Sequence, residues 1–344
     1  MDHHTAPTVF GVGHIEPDIS SDGSTMEDDR DFLFSDTDSA LGSDMSLFSS
    51  TASLRSSILR SMEENGRRYH GYKEGKYVLP VDERELDRQI FQYDLCLLTF
   101  DNHLSFAPFR QLNRVLDVGC GVGYWALDFA EMHPEAQVVG VDLSPVQPAY
   151  VPPNVQFEID DLEEPWNFSY PFDYIHVMMM TGAFRDWPNF YRQAFDGLTS
   201  GGWVEIQDIQ FPLHCDDNTL APNSALKKWS DLMVEAGDKS GFTLTTCERA
   251  GDMMHQAGFV DIVRIPYKWP INEWPREAKW KEVGRRTGIN FRDGMEGIMM
   301  ALFTRFMGWT KEQVEDFSQQ VDREWQDTRI HAYFNLWVTY GRKA

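Results

Sequence analysis

Cysteine is scarce in this chain: four in 344 residues. Cys96, Cys120, Cys215 and Cys247 stand far apart, with no CxxC pair and no histidine nearby at zinc-ligand spacing. That excludes a disulfide scaffold and a structural zinc module, and it is the usage of reduced thiols in an intracellular protein, cytoplasmic or nuclear. Long apolar runs are missing as well. No stretch approaches the roughly 20 residues of a membrane helix, and the N-terminus lacks the basic and apolar parts of a secretory signal, so no membrane partner is expected. Positive charge is in short supply: 31 Lys and Arg face 54 Asp and Glu, for a net charge of −23. The first 66 residues carry thirteen acids against three arginines, and the remainder is acidic too. A broad electrostatic grip on nucleic acid is therefore excluded. No His/Cys/carboxylate cluster suggests a metal. The 42% hydrophobic content is enough for a substantial core.

Residues 1–60 alternate Ser, Asp, Thr and Gly with isolated apolar side chains, a composition that cannot bury enough surface to offset its ordering entropy. A disordered acidic, Ser-rich tail is expected there. Its alternative use is a phosphorylatable, partner-binding segment with Phe32, Leu33 and Phe34 as a small docking motif. From Leu86 to Phe100 apolar residues recur at helical spacing, which predicts a helical cap over 61–110 ahead of the main domain, 111–344.

That domain is organised around Arg114-Val-Leu-Asp-Val-Gly-Cys-Gly-Val-Gly-Tyr-Trp-Ala-Leu-Asp128. Val115, Leu116 and Val118 suit a buried parallel strand; Gly119, Gly121 and Gly123 allow a sharp turn close to a ligand; Trp125, Ala126 and Phe129 start an amphipathic helix. The same spacing passes as a dinucleotide fingerprint, so an NAD-dependent oxidoreductase stays open at this point. Asp117, just before the turn, would repel a pyrophosphate and attract the sulfonium and ammonium of S-adenosylmethionine. A second strand, Gln137–Asp142, ends in an acid that can accept two ribose hydroxyls, with Leu143 next to it. A third, Val155–Ile159, runs into Asp160-Asp161-Leu162, where one aspartate can accept from an adenine amino group and the following N–H can reach a ring nitrogen. Further strands are predicted at 171–182, 203–207, 260–266 and 333–340. Helices are expected over 187–198, 222–257 and, rich in Met and Trp, over an insertion at 275–330. No catalytic group stands out. His176, His214 and Glu205 are the weak candidates for a proton acceptor, and Asp208 lies beside the last of them.

The ordered series LDVGCGVGYW, VVGVDLSP, FEIDDLEEPW, FDYIHVMMMTGAFRDW and LTSGGWVEIQDI resembles the class I S-adenosylmethionine-dependent methyltransferases. Within them, Arg68-Tyr-His-Gly-Tyr72, Tyr77-Val-Leu-Pro-Val-Asp-Glu-Arg-Glu-Leu-Asp-Arg88, Arg185-Asp-Trp-Pro188 and His331–Gly341 resemble the fungal LaeA-like group, over roughly residues 67–344. The resemblance implies an α/β, Rossmann-like seven-stranded sheet with helices on both faces. It also implies S-adenosylmethionine as donor, bound by Asp117, Gly119, Cys120, Gly121, Gly123, Asp142, Leu143, Asp160, Asp161 and Leu162, and an N-terminal segment carrying Tyr77 over the cofactor. Val177 and Met178 stand where related sequences often carry a basic residue, which weakens any transfer of acceptor contacts. Two roles follow: methylation of a small natural-product acceptor in secondary metabolism, or nuclear regulation of metabolite genes through protein partners. Because methyl transfer from a sulfonium is an in-line displacement with a neutral leaving group, collinear positioning in a dry pocket is the main requirement.

Overall fold

Five strands run parallel through the centre of the protein: β3 (Arg114–Val118), β4 (Gln137–Asp142), β5 (Val155–Ile159), β6 (Phe172–Met178) and β7 (Leu198–His214). Two more, β8 (Val260–Pro270) and β9 (Tyr333–Arg342), complete the sheet, whose order is β5-β4-β3-β6-β7-β9-β8. Strand β9 is antiparallel to both β7 and β8. In this computed structural model the structure describes residues 13–18 and 61–344. The chain winds outward from β3 through β4 to β5, then returns to β6 on the other side. The switch point, where a crevice opens beyond the strand ends, therefore falls between β3 and β6. The expected α/β architecture is what forms.

The helices cover both faces. On one, α3 (Trp187–Gly197) and α5 (Ala250–Ala257) bury Trp187, Phe190, Tyr191 and Met254 against Leu116, Ile175 and Val204. On the other, α2 (Tyr124–Met132) packs Trp125, Phe129 and Ala130 on Val115, Val138 and Tyr174. The largest cluster lies on the long strands β7, β8 and β9. There α4 (Ala225–Ser240), α6 (Ala278–Phe306) and α7 (Lys311–Trp325) enclose Trp229, Phe291, Trp325 and Phe334. Helix α7 begins with a capping box in which Thr310 and Gln313 satisfy each other's backbone N–H groups. Thus the Met- and Trp-rich insertion is helical, as its spacing predicts.

Several boundaries need correction. The cap over 61–110 is not all helical. It opens with a hairpin, β1 (Ser61–Glu64) and β2 (Arg67–His70), because Asn65 and Gly66 both adopt positive φ, 54° and 82°, the geometry of a tight hairpin turn. Only α1 (Glu83–Thr99) is helix, capped by Asp82, whose carboxylate accepts from the Glu85 N–H and is gripped by Arg67 at 2.7 and 2.8 Å. The helix expected over 222–257 is two, separated at Gly241 and by a short 3-10 turn, Thr246–Arg249. Strand β8 extends past Pro266 to Pro270, tolerated because β8 is an edge strand.

Part of the expected tail is docked. Ile15 is buried in the largest core cluster, the Asp18 N–H donates to the Trp274 carbonyl at 2.7 Å, and the Arg276 N–H donates to the Glu16 carbonyl at 2.8 Å. The Phe32–Phe34 segment lies outside the described residues. No helix among the described residues is long and apolar enough to cross a membrane.

Candidate active site

The end of β3 runs directly into a turn built by backbone. The Gly119 and Cys120 N–H groups both donate to the Val141 carbonyl on β4, at 2.8 and 3.1 Å, folding the chain across the sheet edge. Gly119 and Gly123 have φ of +65° and +85°, and neither has room for a side chain: a Cβ would meet the Met180 sulfur at 2.2 Å in one case and the Phe157 ring at 2.4 Å in the other. Gly121 is different, since only the Gln89 Oε1, at 3.0 Å, approaches its open side.

Asp142, at the tip of β4, ties this turn down. Its Oδ2 accepts from the Gly121 N–H and its Oδ1 from the Ser144 N–H, both at 2.9 Å. Burial pushes its carboxyl above the usual range, and these backbone donors pull it back. Each oxygen keeps a lone pair, which is what a vicinal diol needs.

Asp117 is buried under the turn at 2% exposure. Its Oδ1 accepts from His176 Nδ1 at 2.8 Å, and the imidazole lies flat on Trp125, with ring centroids 3.6 Å apart and planes 7° apart. Asp117 Oδ2 and His176 Nε2 have no protein partner. Burial raises the Asp117 carboxyl, opposed by the bond from His176. A carboxylate with one oxygen held and the other orphaned is suited to a cation.

A cavity of ≈ 240 Å³ opens from this turn. Asp117, Gly119, Cys120, Gly121, Asp142, Leu143, Asp160, Asp161, Leu162 and Tyr77 all line it, so the sequence-predicted set converges; Gly123 stands just behind, at the α2 N-terminus. The two aspartates after β5 differ. Asp161 is spent on an ion pair with Lys76 and on the Glu163 N–H, whereas Asp160 accepts only from the Asp161 N–H and retains acceptor capacity.

The three weak catalytic candidates do not reach the cavity wall. His176 is sealed between Trp125 and Asp117. Glu205 is fully buried, accepting from the Phe106 and Ala107 N–H groups at 2.8 and 2.7 Å and from Gln207 at 2.8 Å. His214 stacks on Tyr333, with burial lowering its basicity. Residues not anticipated are Lys76, Gln89 and Gln92 on the near side, and Met233, Phe242 and Leu244 on the far side. The polar Arg88, Gln89 and Gln92 interrupting the apolar face of α1 are the signal that could have found the first group. Beyond Met178–Met180 the cavity continues, without a wall between, to Phe291, Ile298 and Leu302 of α6.

The family model described as "Methyltransferase domain" matches residues 87–263, over half of the chain. The chain belongs to this methyltransferase family. The donor read from the sequence, S-adenosylmethionine, is borne out, and the NAD reading is set aside. Among curated relatives, methyltransferase pytC of Aspergillus terreus is 37% identical over 86% of this chain and 92% of its own length. The secondary metabolism regulator LAE1 of Cochliobolus heterostrophus is 34% identical over 81% of this chain and 94% of its own. The protein-methionine methyltransferase laeA of Emericella nidulans is 35% identical, covering 82% of this chain and 76% of its own.

Proposed function

We propose that this methyltransferase acts in fungal secondary metabolism, transferring a methyl group to a small natural-product acceptor. The observation that carries it is the single cavity joining the glycine turn to the insertion helices, so that donor and acceptor share one space. The donor, when bound, supplies an electrophilic methyl on a cationic sulfur. Asp142 holds its ribose hydroxyls, and Asp160 with the Leu162 N–H holds its adenine. The turn from Gly119 through Gly121 gives its amino-acid end close approach to backbone, with Asp117 as the buried counter-charge. Tyr77 and Lys76, on the loop that follows β2, lie over the cavity and exclude water.

The test is metabolite profiling by mass spectrometry after deletion of the gene. Accumulation of one desmethyl compound is expected. A broad loss of many unrelated metabolites would instead favour the second reading, regulation of metabolite genes through protein partners. That reading draws on the two relatives with regulatory or protein-modifying names and on the methionines in the cavity, where the Met180 sulfur sits against Gly119. Intact-protein mass spectrometry after incubation with the donor separates the two further. A gain of one methyl mass on the protein itself supports the second.

A further inference from the structure

The donor's amino-acid end carries a carboxylate as well as an ammonium, and the glycine-turn half of the cavity is a poor place for an anion. Asp117, Asp142, Asp160 and Asp161 all line it. Lys76 and Arg88 line the cavity too, but both are spent. Lys76 is paired with Asp161 and, at 3.2 Å, with Glu163. Arg88, 8% exposed, donates to both Glu85 oxygens at 2.9 and 2.7 Å, and through Nη1 to Gln92 and Asn290 at 2.9 and 3.0 Å. Farther in, the wall is mainly apolar, with Met178, Ile209, Phe211 and Phe291. A carboxylate must therefore find uncharged N–H donors or stay in water.

Helix α1 presents two such groups. Gln89 and Gln92 stand three residues apart on one face of it, and both line the cavity. The orientation of Gln92 is set by its neighbours. A guanidinium can only donate, so Arg88 meets the Gln92 Oε1, and the same oxygen accepts from Asn290 Nδ2 at 3.2 Å. The Gln92 NH2 group is thereby turned away from both. Gln89 stands beside the glycine turn, its Oε1 at 3.0 Å from the point that a Cβ on Gly121 would occupy. Its Nε2 has one long contact, 3.5 Å to a Glu85 oxygen that Arg88 already holds at 2.7 Å. Among the described residues, neither NH2 group is committed to a bond of ordinary length, and the Glu85 charge beside Gln89 is cancelled by Arg88.

We propose that Gln89 and Gln92 are the receptor for the donor's carboxylate, each giving it an N–H bond, while Asp117 takes the ammonium. This rests on the donor placement given above. The two charges of the amino-acid end are then met from different elements, the anion by α1 and the cation by the end of β3. Arg88 serves here by orienting Gln92 rather than by its charge. Because amides are neutral, they hold the carboxylate without cancelling the negative field that attracts the sulfonium; a lysine or arginine in their place would cancel part of it. The segment ahead of β3 thus becomes part of the donor site, and a ligand without the carboxylate is discriminated against.

The test is titration calorimetry of the full chain with two ligands: S-adenosylhomocysteine, and the aminopropyl thioether of adenosine, which is the same molecule without its carboxylate. The wild type should bind the second at least about tenfold more weakly. Gln89→Leu and Gln92→Leu should each weaken S-adenosylhomocysteine by about tenfold and leave the decarboxylated ligand within about twofold, which also reports that the variant is folded. Gln89 makes no strong bond in the protein, so Gln89→Leu keeps the test open if Gln92→Leu unsettles Arg88. Gln92→Glu should weaken S-adenosylhomocysteine further than Gln92→Leu does, by like-charge repulsion, with the decarboxylated ligand bound at least as well as before. Equal wild-type affinity for the two ligands would overturn the proposal, as would Leu variants that lose both ligands by the same factor or lose neither. Failure of the wild type to bind either ligand would instead remove the donor site, and this inference with it.

Discussion

Replacing Asp142 with Asn tests the donor site at its most constrained point. The two carboxylate oxygens accept from different backbone N–H groups, Gly121 on one side and Ser144 on the other, each at 2.9 Å. An amide of the same shape offers one oxygen. Its NH2 would face a backbone donor, leaving that N–H unsatisfied at a cost of about 1–3 kcal/mol. In the free protein the loss is partly offset, because burial already disfavours the Asp142 charge and the neutral amide escapes that penalty. We expect a net destabilisation of about 1 kcal/mol, which for a domain of this size lowers the melting temperature by roughly 2–4 °C. With donor bound no such offset exists, since a hydrogen bond from a ribose hydroxyl to a charged acceptor contributes about 1.5–3 kcal/mol. Affinity for S-adenosylhomocysteine should then fall by about 10- to 150-fold, read by titration calorimetry. A variant that melts like the wild type and binds within about twofold of it would refute the placement of the ribose on Asp142. So would one whose loss of binding merely tracked its loss of stability.

Gly123→Ala combines left-handed backbone with a Cβ at 2.4 Å from the Phe157 ring, and should cost about 3 kcal/mol in chemical denaturation; adding Phe157→Leu should recover part of it, and no recovery would show that sterics are not the cause. Ile15→Ala should lower stability by about 2–3 kcal/mol if residues 13–18 are docked in solution, and an unchanged melting temperature would place them outside the core. Asp208 has its carboxyl raised by burial to about 7, so the stability it lends is fully present below the ordinary carboxylate range and is lost as pH rises through about 7, by at most about 4 kcal/mol. Asp208→Asn should therefore gain on the wild type between pH 5 and pH 8 in calorimetric scans; parallel curves would contradict the burial.

What could be read from the chain beforehand depended on how local its cause was. Val115–Val118, Gly119–Gly123 and the acid ending β4 declare themselves because strand, turn and ligand contact lie within one short stretch, and Asp117, the turn from Gly119 to Val122, and Asp142 line the cavity. The hairpin at Ser61–His70 was equally local, with Asn65-Gly66 as its turn, yet it sat inside a segment whose helical spacing further on masked it. Non-local partners were the illegible part. Nothing near Glu205 announces that it accepts from Phe106 and Ala107, about a hundred residues upstream, and nothing near Asp117 announces His176. Lys76 meeting Asp161 is the same case. Such pairs depend on which strands become neighbours, as when parallel pairing sets Asp117 opposite His176.

Those same pairings explain why no base could be named from the sequence. Two titratable residues that looked available, on β7 and β6, are consumed by the fold: Glu205 closes a loop, and His176 braces the carboxylate beneath the turn. Removing them leaves a cavity charged at one end and apolar at the other, with Thr181 at the apolar end. On the proposed placement, a cationic donor would gain from the first end and lose in the second, so Asp117 would hold its charge at the turn. Orientation in this enzyme is then a consequence of where charge can be solvated, and Asp117→Asn should loosen it. The expected signature is a larger fall in turnover than in affinity for S-adenosylhomocysteine, which lacks the sulfonium charge. Equal losses in both would mean that Asp117 serves only to hold the turn.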